Sequence, residues 1–249
     1  MWSVRRIVRT VDRSVKRHGV VGSLVHVATS VAERVRSRGH HRDDGHDGAA
    51  NTDAVEDEDF DTKYGVSTGG EIPQTELDVK DENWIHGSAY VPTSPVDFAE
   101  VLGDLGLDYE ETSFVDLGSG KGRVLLMAAG LPWKRVVGVE FSPQLSEICR
   151  DNLRRFTGPK RCADLSVETT DATKYPLPAG PLVVFMYHPF DEKVMAPVAD
   201  NVVASLRADP RRVLVVYFKP VHRDVWDENP AFSLRKETPL YAIYESKAR

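Results

Sequence analysis

Residues 113–123 constrain the fold of this chain more than any other stretch. They run Ser-Phe-Val-Asp-Leu-Gly-Ser-Gly-Lys-Gly-Arg, a buried-strand pattern that passes directly into a turn with three glycines. Glycine lets a backbone turn sharply and lets a ligand approach the main chain closely. A helical pattern follows from Gly122 to about Gly130. This strand, turn and helix predict a parallel α/β sheet that binds a ligand at the carboxyl ends of its strands.

The same two patterns alternate through the rest of the globular region. Short apolar and β-branched runs predict four more strands, at 136–140, 165–169, 182–186 and 213–218. Longer runs with apolar residues on one face predict helices at 145–156 and 191–206. We therefore predict a Rossmann-like, doubly wound α/β fold with a mostly parallel, seven-stranded sheet. Two adjacent strand patterns, 232–236 and 240–245, predict a hairpin and an antiparallel edge.

Charge divides the chain into three parts. The net charge of −6 over 249 residues hides an excess of eight positive charges in residues 1–42 and nine acids without a base in residues 43–62. We predict a basic helical arm at 1–38, a disordered acidic linker at 39–59 and one globular domain at 60–249.

Apolar residues of the arm recur at helical spacing among arginines and lysines, from Val4 to Val15 and again from Val21 to Val35. This pattern predicts amphipathic helices and leaves three roles open. The arm packs as a helical hairpin on itself or on the domain, docks on an anionic lipid, nucleic acid or acidic partner, or serves as a targeting sequence. The longest apolar-leaning run, 20–32, is too short and too polar to span a membrane.

Cysteine and histidine usage predicts neither a disulfide framework nor a metal site. The two cysteines, Cys149 and Cys162, are too few for either and indicate a reducing compartment. The histidines of the linker stand beside aspartates, but a flexible segment must become ordered before it holds a metal. We therefore expect a cytoplasmic protein, with peripheral membrane attachment through the arm as the alternative.

The surroundings of the glycine turn narrow the choice of ligand. A phosphate loop requires Ser or Thr directly after its Lys, and a dinucleotide fingerprint requires glycine or alanine where Arg123 stands. What remains is Asp-x-Gly-x-Gly-x-Gly, which begins at Asp116. The next strand ends on Glu140, a carboxylate that can accept hydrogen bonds from both hydroxyls of a ribose.

These residues resemble class I S-adenosylmethionine-dependent methyltransferases over about residues 83–218. The resemblance implies S-adenosylmethionine as the cofactor. It implies cofactor contacts at the turn and the two acids, namely Asp116, Gly118, Ser119, Gly120, Gly122 and Glu140. It implies further contacts near the adenine, namely Phe141, Asp171 and Ala172. Tyr187-His188-Pro189-Phe190 stand where the family keeps its catalytic Asn/Asp-Pro-Pro-Tyr/Phe.

A narrower resemblance lies upstream of the turn. Residues 87–95, Gly-Ser-Ala-Tyr-Val-Pro-Thr-Ser-Pro, are similar in layout to the disruptor-of-telomeric-silencing lysine methyltransferases and small relatives that methylate lysine. This resemblance implies that Tyr90 and Thr93 contact the methionine moiety or close the pocket. An aromatic plug and a helix N-cap remain open as their structural roles. The loop Phe60–Gly70 is predicted as a lid, a substrate wall or a packed linker.

His188 departs from the family pattern, which places Asn or Asp there in enzymes that methylate amines. A neutral imidazole can accept a hydrogen bond or a proton near neutral pH, which suits an amine, a hydroxyl or an acidic carbon, and a structural role also remains open. Tyr187 and Phe190 can wall an apolar acceptor channel. We expect N-methylation of an amine with protein lysine favoured. A small-molecule N- or O-methyltransferase and a non-catalytic cofactor-binding scaffold tethered by the arm are the alternatives. No specific nucleic-acid motif is present.

Overall fold

A computed structural model describes residues 59–77 and 88–247. The predicted basic arm at 1–38, with its lipid and partner roles, lies outside the described residues. The same holds for all but the last residue of the predicted linker at 39–59. The described residues thus belong almost entirely to the predicted globular domain.

Seven strands form one sheet in that part of the chain. They are β1 (Ser113–Leu117), β2 (Arg135–Glu140), β3 (Leu165–Thr169), β4 (Leu182–Tyr187), β5 (Val213–Phe218), β6 (Phe232–Glu237) and β7 (Tyr241–Ser246). Their order across the sheet is β3-β2-β1-β4-β5-β7-β6. The first five pair in parallel, and β7 pairs antiparallel with both β5 and β6. The predicted mostly parallel sheet with an antiparallel hairpin at its edge is confirmed.

Five α-helices connect or flank these strands among the described residues. They are α1 (Pro95–Leu105), α2 (Arg123–Ala128), α3 (Pro143–Arg155), α4 (Glu192–Ala208) and α5 (Asp224–Asp227). Residues 59–64 are also helical, and Gln74–Glu76 form a short 3-10 helix. None of these helices is long and apolar enough to cross a membrane.

The sheet separates two hydrophobic cores, because successive side chains of a strand point to opposite faces. Phe114 packs in one core with residues of α1, α2 and α3, while Val115 packs in the other with residues of α4. Helices therefore cover both faces, as the doubly wound fold requires. This arrangement leaves the carboxyl ends of the strands as the place where loops from both sides meet.

Local sequence explains where the helices begin. α3 starts with Ser142, whose hydroxyl accepts a hydrogen bond from the Leu145 N–H, and with Pro143 in the first helical position. Asp191 caps α4 in the same way by accepting from the Lys193 N–H. The strand order reverses between β1 and β4, which lie side by side while their chain connections lead in opposite directions. The crevice at this switch point is where such sheets bind ligands.

Candidate active site

A cleft of about 1080 Å³, counting its open mouth, lies at the carboxyl ends of β1 to β4. Thirteen of the fifteen site residues predicted from the sequence line it: Tyr90, Thr93, Asp116, Gly118, Ser119, Gly120, Glu140, Phe141, Asp171, Ala172, Tyr187, Pro189 and Phe190. The other two, Gly122 and His188, are not among the lining residues. The position of these residues in the cleft is described by the structure, whereas the role of each residue stays a prediction.

Glu140 is a fixed hydrogen-bond acceptor on the floor of the cleft. Its Oε2 accepts from the Gly120 N–H at 2.8 Å, and its Oε1 accepts from the Ser142 N–H at 2.8 Å. Burial raises the pKa of Glu140, and backbone hydrogen bonds from Ser142, Gly120 and Phe141 oppose that rise. Since a carboxylate oxygen has two lone pairs, each oxygen keeps the capacity to accept from a ligand hydroxyl.

Asp116 places a second carboxyl close to Glu140. It is the fourth residue of β1 and is only 3% exposed. Burial raises the pKa of Asp116 well above its usual value, and the negative charge of Glu140 raises it further. A bound cation would favour the charged form of both acids. The floor of the cleft is therefore electrostatically suited to a ligand that carries hydroxyl groups and positive charge.

The glycine turn is packed too tightly for any larger residue. A Cβ on Gly120 would lie 2.2 Å from Cδ2 of Tyr90, and a Cβ on Gly118 would lie 2.5 Å from Cβ of Pro189. Both glycines also have positive φ, at 54° and 84°. Gly122 faces α3 instead, since its Cβ would meet Sγ of Cys149 at 2.5 Å. The glycine turn is thus packed between Tyr90 and Pro189, which follows β4.

Residues 88–93 form a loop, called the Tyr90 loop below, that covers the glycine turn with the ring of Tyr90. Tyr90 exchanges two backbone hydrogen bonds with Ile72, and its hydroxyl donates to the Thr68 carbonyl at 2.7 Å. Thr93 is buried and lines the cleft. The N-cap of α1 is Ser94. The alternative that Thr93 serves as this N-cap is therefore wrong.

Asp171 lies near the other end of the cleft, after β3. Its Oδ1 accepts hydrogen bonds from both the N–H and the hydroxyl of Thr173. Burial raises the pKa of Asp171, but these two hydrogen bonds and the positive charge of Lys174 outweigh burial, so that the pKa is lowered overall. Asp171 is thus a charged acceptor in the part of the cleft that Ala172 and Phe141 also line.

His188 does not line the cleft, although the sequence predicts that it does. Its backbone has a φ of 39°, and its N–H donates to the Phe218 carbonyl. Its Nδ1 lies 3.3 Å from the Tyr217 hydroxyl, and its ring lies 5.6 Å from that of His222. Burial lowers the pKa of His188, and the charges of His222 and Lys219 lower it further. His188 is therefore a neutral side chain beside the cleft at neutral pH.

Two basic residues of the turn were not predicted to have a role. Lys121 and Arg123 are buried, and both bond to the loop Phe60–Gly70. That loop does not line the cleft, whereas Leu77 further along does. The loop is therefore a packed segment behind the turn. Nothing in the local pattern pairs Arg123 with residues more than 50 positions earlier, so no sequence signal indicates this contact.

Ser119 Oγ is buried, lies 2.5 Å from where a Cβ on Gly138 would stand, and has no hydrogen-bond partner among the described residues, although buried polar groups are normally satisfied. A sequence profile of the family described as "Histone methylation protein DOT1" matches residues 84–173, which carry the Tyr90 loop, the glycine turn, Glu140 and Asp171. Over these residues the chain is similar to a family of S-adenosylmethionine-dependent methyltransferases.

The residues of the cleft fit S-adenosylmethionine, the cofactor that the family match implies. Glu140 offers acceptors for the ribose hydroxyls, and Asp116 offers negative charge for the methionine end. The glycine turn offers a backbone surface that no Cβ obstructs. These three features belong to the chain itself, and they agree with the family assignment.

Solved structures similar to this chain include three from different organisms. A predicted N6-adenine-specific DNA methylase from Listeria monocytogenes has 15% identity and a TM-score of 0.48, covering 64% of this chain and 52% of that one. A putative RNA methyltransferase from Pyrococcus horikoshii has 21% identity and a TM-score of 0.48, covering 70% and 92%. A precorrin-6y C5,15-methyltransferase from Geobacter metallireducens has 17% identity and a TM-score of 0.46, covering 71% and 99%. The chain spans about half the length of the first of these structures. No curated protein sequence matches it significantly.

Proposed function

We propose that this protein is a class I S-adenosylmethionine-dependent methyltransferase that methylates an amine nitrogen, and that its acceptor is a lysine side chain of a protein. The observation that carries the proposal is the apolar part of the cleft lining, which includes Leu77, Tyr187, Phe190 and Val194. The aliphatic stem of a lysine fits such a lining, because its methylene groups pack on apolar surface. The matching profile describes a histone methylation protein, which supports a protein acceptor.

The basic residues of the site also favour a protein over a nucleic acid. Among the described residues that line the cleft, Arg123 is the only basic one, and its Nε donates to Thr68. Nucleic-acid sites depend on Lys and Arg that neutralise phosphates. A cleft lined mainly by aromatic and aliphatic residues lacks that feature.

The acceptor amine must lose its proton before it can react. Bound S-adenosylmethionine supplies an electrophilic methyl group on a sulfonium. The amine lone pair forms the new N–C bond while the C–S bond breaks, and its electrons stay on sulfur. Lys219 Nζ lies 5.1 Å from the centre of the Tyr187 ring, which lines the cleft. A positive charge so close to the acceptor end would lower the pKa of the acceptor amine.

His188 is the proposed proton acceptor for this step. If its Nδ1 donates to the Tyr217 hydroxyl, its Nε2 carries a lone pair. Because His188 does not line the cleft, we propose that the proton reaches it through one water molecule. Tyr187, Pro189 and Phe190 then serve as the wall that aligns the acceptor, an orientation effect that accounts for much of the rate in such displacements.

Methyl-labelled cofactor and a size-fractionated cell extract test the proposal. The protein is incubated with the labelled cofactor and each protein fraction, either untreated or with its lysines chemically blocked. Labelled sites are then identified by mass spectrometry. We expect label on lysine Nζ, lost after blocking. Label confined to small metabolites or nucleic acid would contradict the lysine acceptor. An absence of label in every fraction, with intact cofactor binding, would indicate a scaffold.

A pair of variants separates the acceptor wall from the rest of the protein. We expect Tyr187→Ala to lower labelling at least about tenfold, the usual scale for lost positioning. Its affinity for S-adenosylhomocysteine should change much less. Val221→Ala is the matched control, because Val221 is 64% exposed and does not line the cleft.

We further propose that the reaction takes place in the cytoplasm. Cys149 and Cys162 are both free thiols, which supports a reducing compartment.

A further inference from the structure

Asp61 organises the loop Phe60–Gly70 by accepting four hydrogen bonds. Its Oδ2 accepts from the N–H groups of Thr68 and Gly69, each at 2.7 Å. Its Oδ1 accepts from the Thr68 hydroxyl at 2.6 Å and from Nη2 of Arg123 at 3.4 Å. A carboxylate that accepts this many bonds fixes the conformation of the loop around it.

Arg123 joins this loop to the glycine turn. Its Nε donates to Oγ1 of Thr68 at 2.7 Å, and its guanidinium lies 4.8 Å above the ring of Phe60. Arg123 is only 2% exposed and is the first residue of α2, directly after Gly122. The Thr68 hydroxyl therefore donates to Asp61 and accepts from Arg123. Neither Asp61 nor Thr68 lines the cleft.

The same loop also holds Tyr90 in place. The Tyr90 hydroxyl donates to the Thr68 carbonyl at 2.7 Å. Lys121 Nζ donates to the carbonyls of Gly69 and Gly70, at 2.6 and 3.2 Å, and lies 5.0 Å from the centre of the Tyr90 ring. The Tyr90 ring in turn covers Gly120 so closely that a Cβ there would overlap it.

We propose that Asp61, Thr68 and Arg123 form a clasp that keeps Tyr90 on the glycine turn and thereby slows release of the cofactor. Tyr90 lines the cleft, and the Gly120 N–H bonds to Glu140, so a displacement of the loop would move groups on both sides of the turn. Asp61 and Thr68 are thus positioning residues that act on the cofactor through Tyr90 and Gly120. Because the clasp acts on the cofactor, it rests on the methyltransferase assignment and is independent of whether lysine is the acceptor.

Dissociation of S-adenosylhomocysteine from the full chain tests the clasp. Thr68→Val keeps the shape of the side chain but removes the hydroxyl that links Asp61 to Arg123. We expect its dissociation rate to rise about tenfold, which corresponds to about 1.4 kcal/mol. Thr68→Ser keeps the hydroxyl and should restore the rate to within about twofold of the wild type. Rescue by Thr68→Ser would assign the change in rate to the hydroxyl and not to the size of the side chain.

The control variant removes a carboxylate that also pairs with arginine but lies elsewhere. Asp164 bonds to Arg135 at 2.9 Å, both side chains are about half exposed, and neither lines the cleft. We expect Asp164→Asn to leave the dissociation rate unchanged and Asp61→Asn to raise it. Wild-type dissociation rates in both Thr68→Val and Asp61→Asn would overturn the clasp.

Hydrogen exchange of the wild-type protein gives a second test that needs no variant. Addition of S-adenosylhomocysteine should slow exchange in residues 61–72 together with residues 88–93, although residues 61–70 do not line the cleft. Protection confined to residues that line the cleft would overturn the proposal. If the wild type does not methylate lysine but the cofactor dissociates from the wild type and the variants as expected, the clasp is supported and only the lysine acceptor is rejected.

Discussion

The N–H of Gly120 donates a 2.8 Å hydrogen bond to Oε2 of Glu140, twenty residues further along the chain. This bond ties the turn after β1 to the end of β2, so the backbone surface and the acid that line the cleft move as one unit. Tyr90 covers the same glycine from the other side. We therefore expect substitutions that disturb either contact of Gly120 to weaken cofactor binding.

Gly120→Ala should weaken binding of S-adenosylhomocysteine at least about tenfold. An alanine at a positive φ costs about 1–2 kcal/mol in strain, and the new methyl group would also overlap the Tyr90 ring. Gly180→Ala is the matched control, since Gly180 has a φ of 80° and no atom lies within 4 Å of where its Cβ would stand. The free energy of unfolding of Gly180→Ala should fall by about the same strain energy, but its affinity for S-adenosylhomocysteine should equal that of the wild type. Equal binding by the two variants, measured by calorimetry, would contradict the contact with Tyr90.

Asp116→Asn should stabilise the cofactor-free protein while weakening cofactor binding. Burial, and then the charge of Glu140, raises the pKa of Asp116 in the folded state. A carboxyl with a raised folded-state pKa stabilises the fold fully below its unfolded pKa, and this contribution is lost as pH rises towards the folded-state value. We expect the variant to gain about 0.5–2 kcal/mol in free energy of unfolding at about pH 7.

Urea unfolding of both proteins across the range from about pH 4 to about pH 7 measures this gain. It should be small at the acidic end and grow as pH rises. A variant less stable than the wild type at neutral pH would show that the ionised Asp116 stabilises the fold.

Lys219→Met should move the rising limb of the pH–rate profile for methyl transfer to higher pH. The Lys219 charge is the third cause, after burial and His222, that lowers the pKa of His188. It also lies beside Tyr187 at the proposed acceptor end. Removing it raises the pKa of both His188 and the acceptor amine, so a higher pH is needed to deprotonate them. Lys134→Met, at an exposed lysine outside the cleft lining, should not move the limb. An unmoved limb in Lys219→Met would exclude Lys219 from the acceptor end.

The two cysteines should differ in reactivity towards a thiol reagent. Burial raises the pKa of the Cys149 thiol and packs it under Gly122, while Cys162 is half-buried with a smaller rise. Because the thiolate is the reactive form, we expect one thiol per folded chain to react readily at about pH 8 and the second only after unfolding. Two readily reacting thiols in the folded protein would contradict the packing of Cys149 under the turn.

The parts of the fold that were predictable are those with a repeating physical pattern. β3 and β5 have the boundaries that their apolar and β-branched runs predict, and Glu140 was identified because an acid at a strand end follows the glycine turn. The helical residues 59–64 and the four-residue helix α5 were not predicted, because one turn is too short to show a helical period.

The direction of side chains and the contacts between residues far apart in the chain could not be predicted from the sequence. The residue type at His188 predicts proton chemistry, but its direction depends on a backbone φ of 39° that no local pattern indicates. The contact between Arg123 and Asp61 spans 62 positions, so it arises only when the loop folds back on the turn. Both features needed the tertiary structure.

Calorimetric titration with S-adenosylhomocysteine tests the cofactor assignment most directly. Glu140→Ala removes both the proposed ribose acceptor and the partner of the Gly120 N–H, and hydrogen bonds to a charged group are worth about 1.5–3 kcal/mol each. Glu147→Ala, at an exposed glutamate of α3, is the control. We expect saturable binding by the wild type and by Glu147→Ala, with affinity at least about 30-fold weaker in Glu140→Ala. Absence of binding by the wild type, or equal affinity in Glu140→Ala, would contradict the assignment.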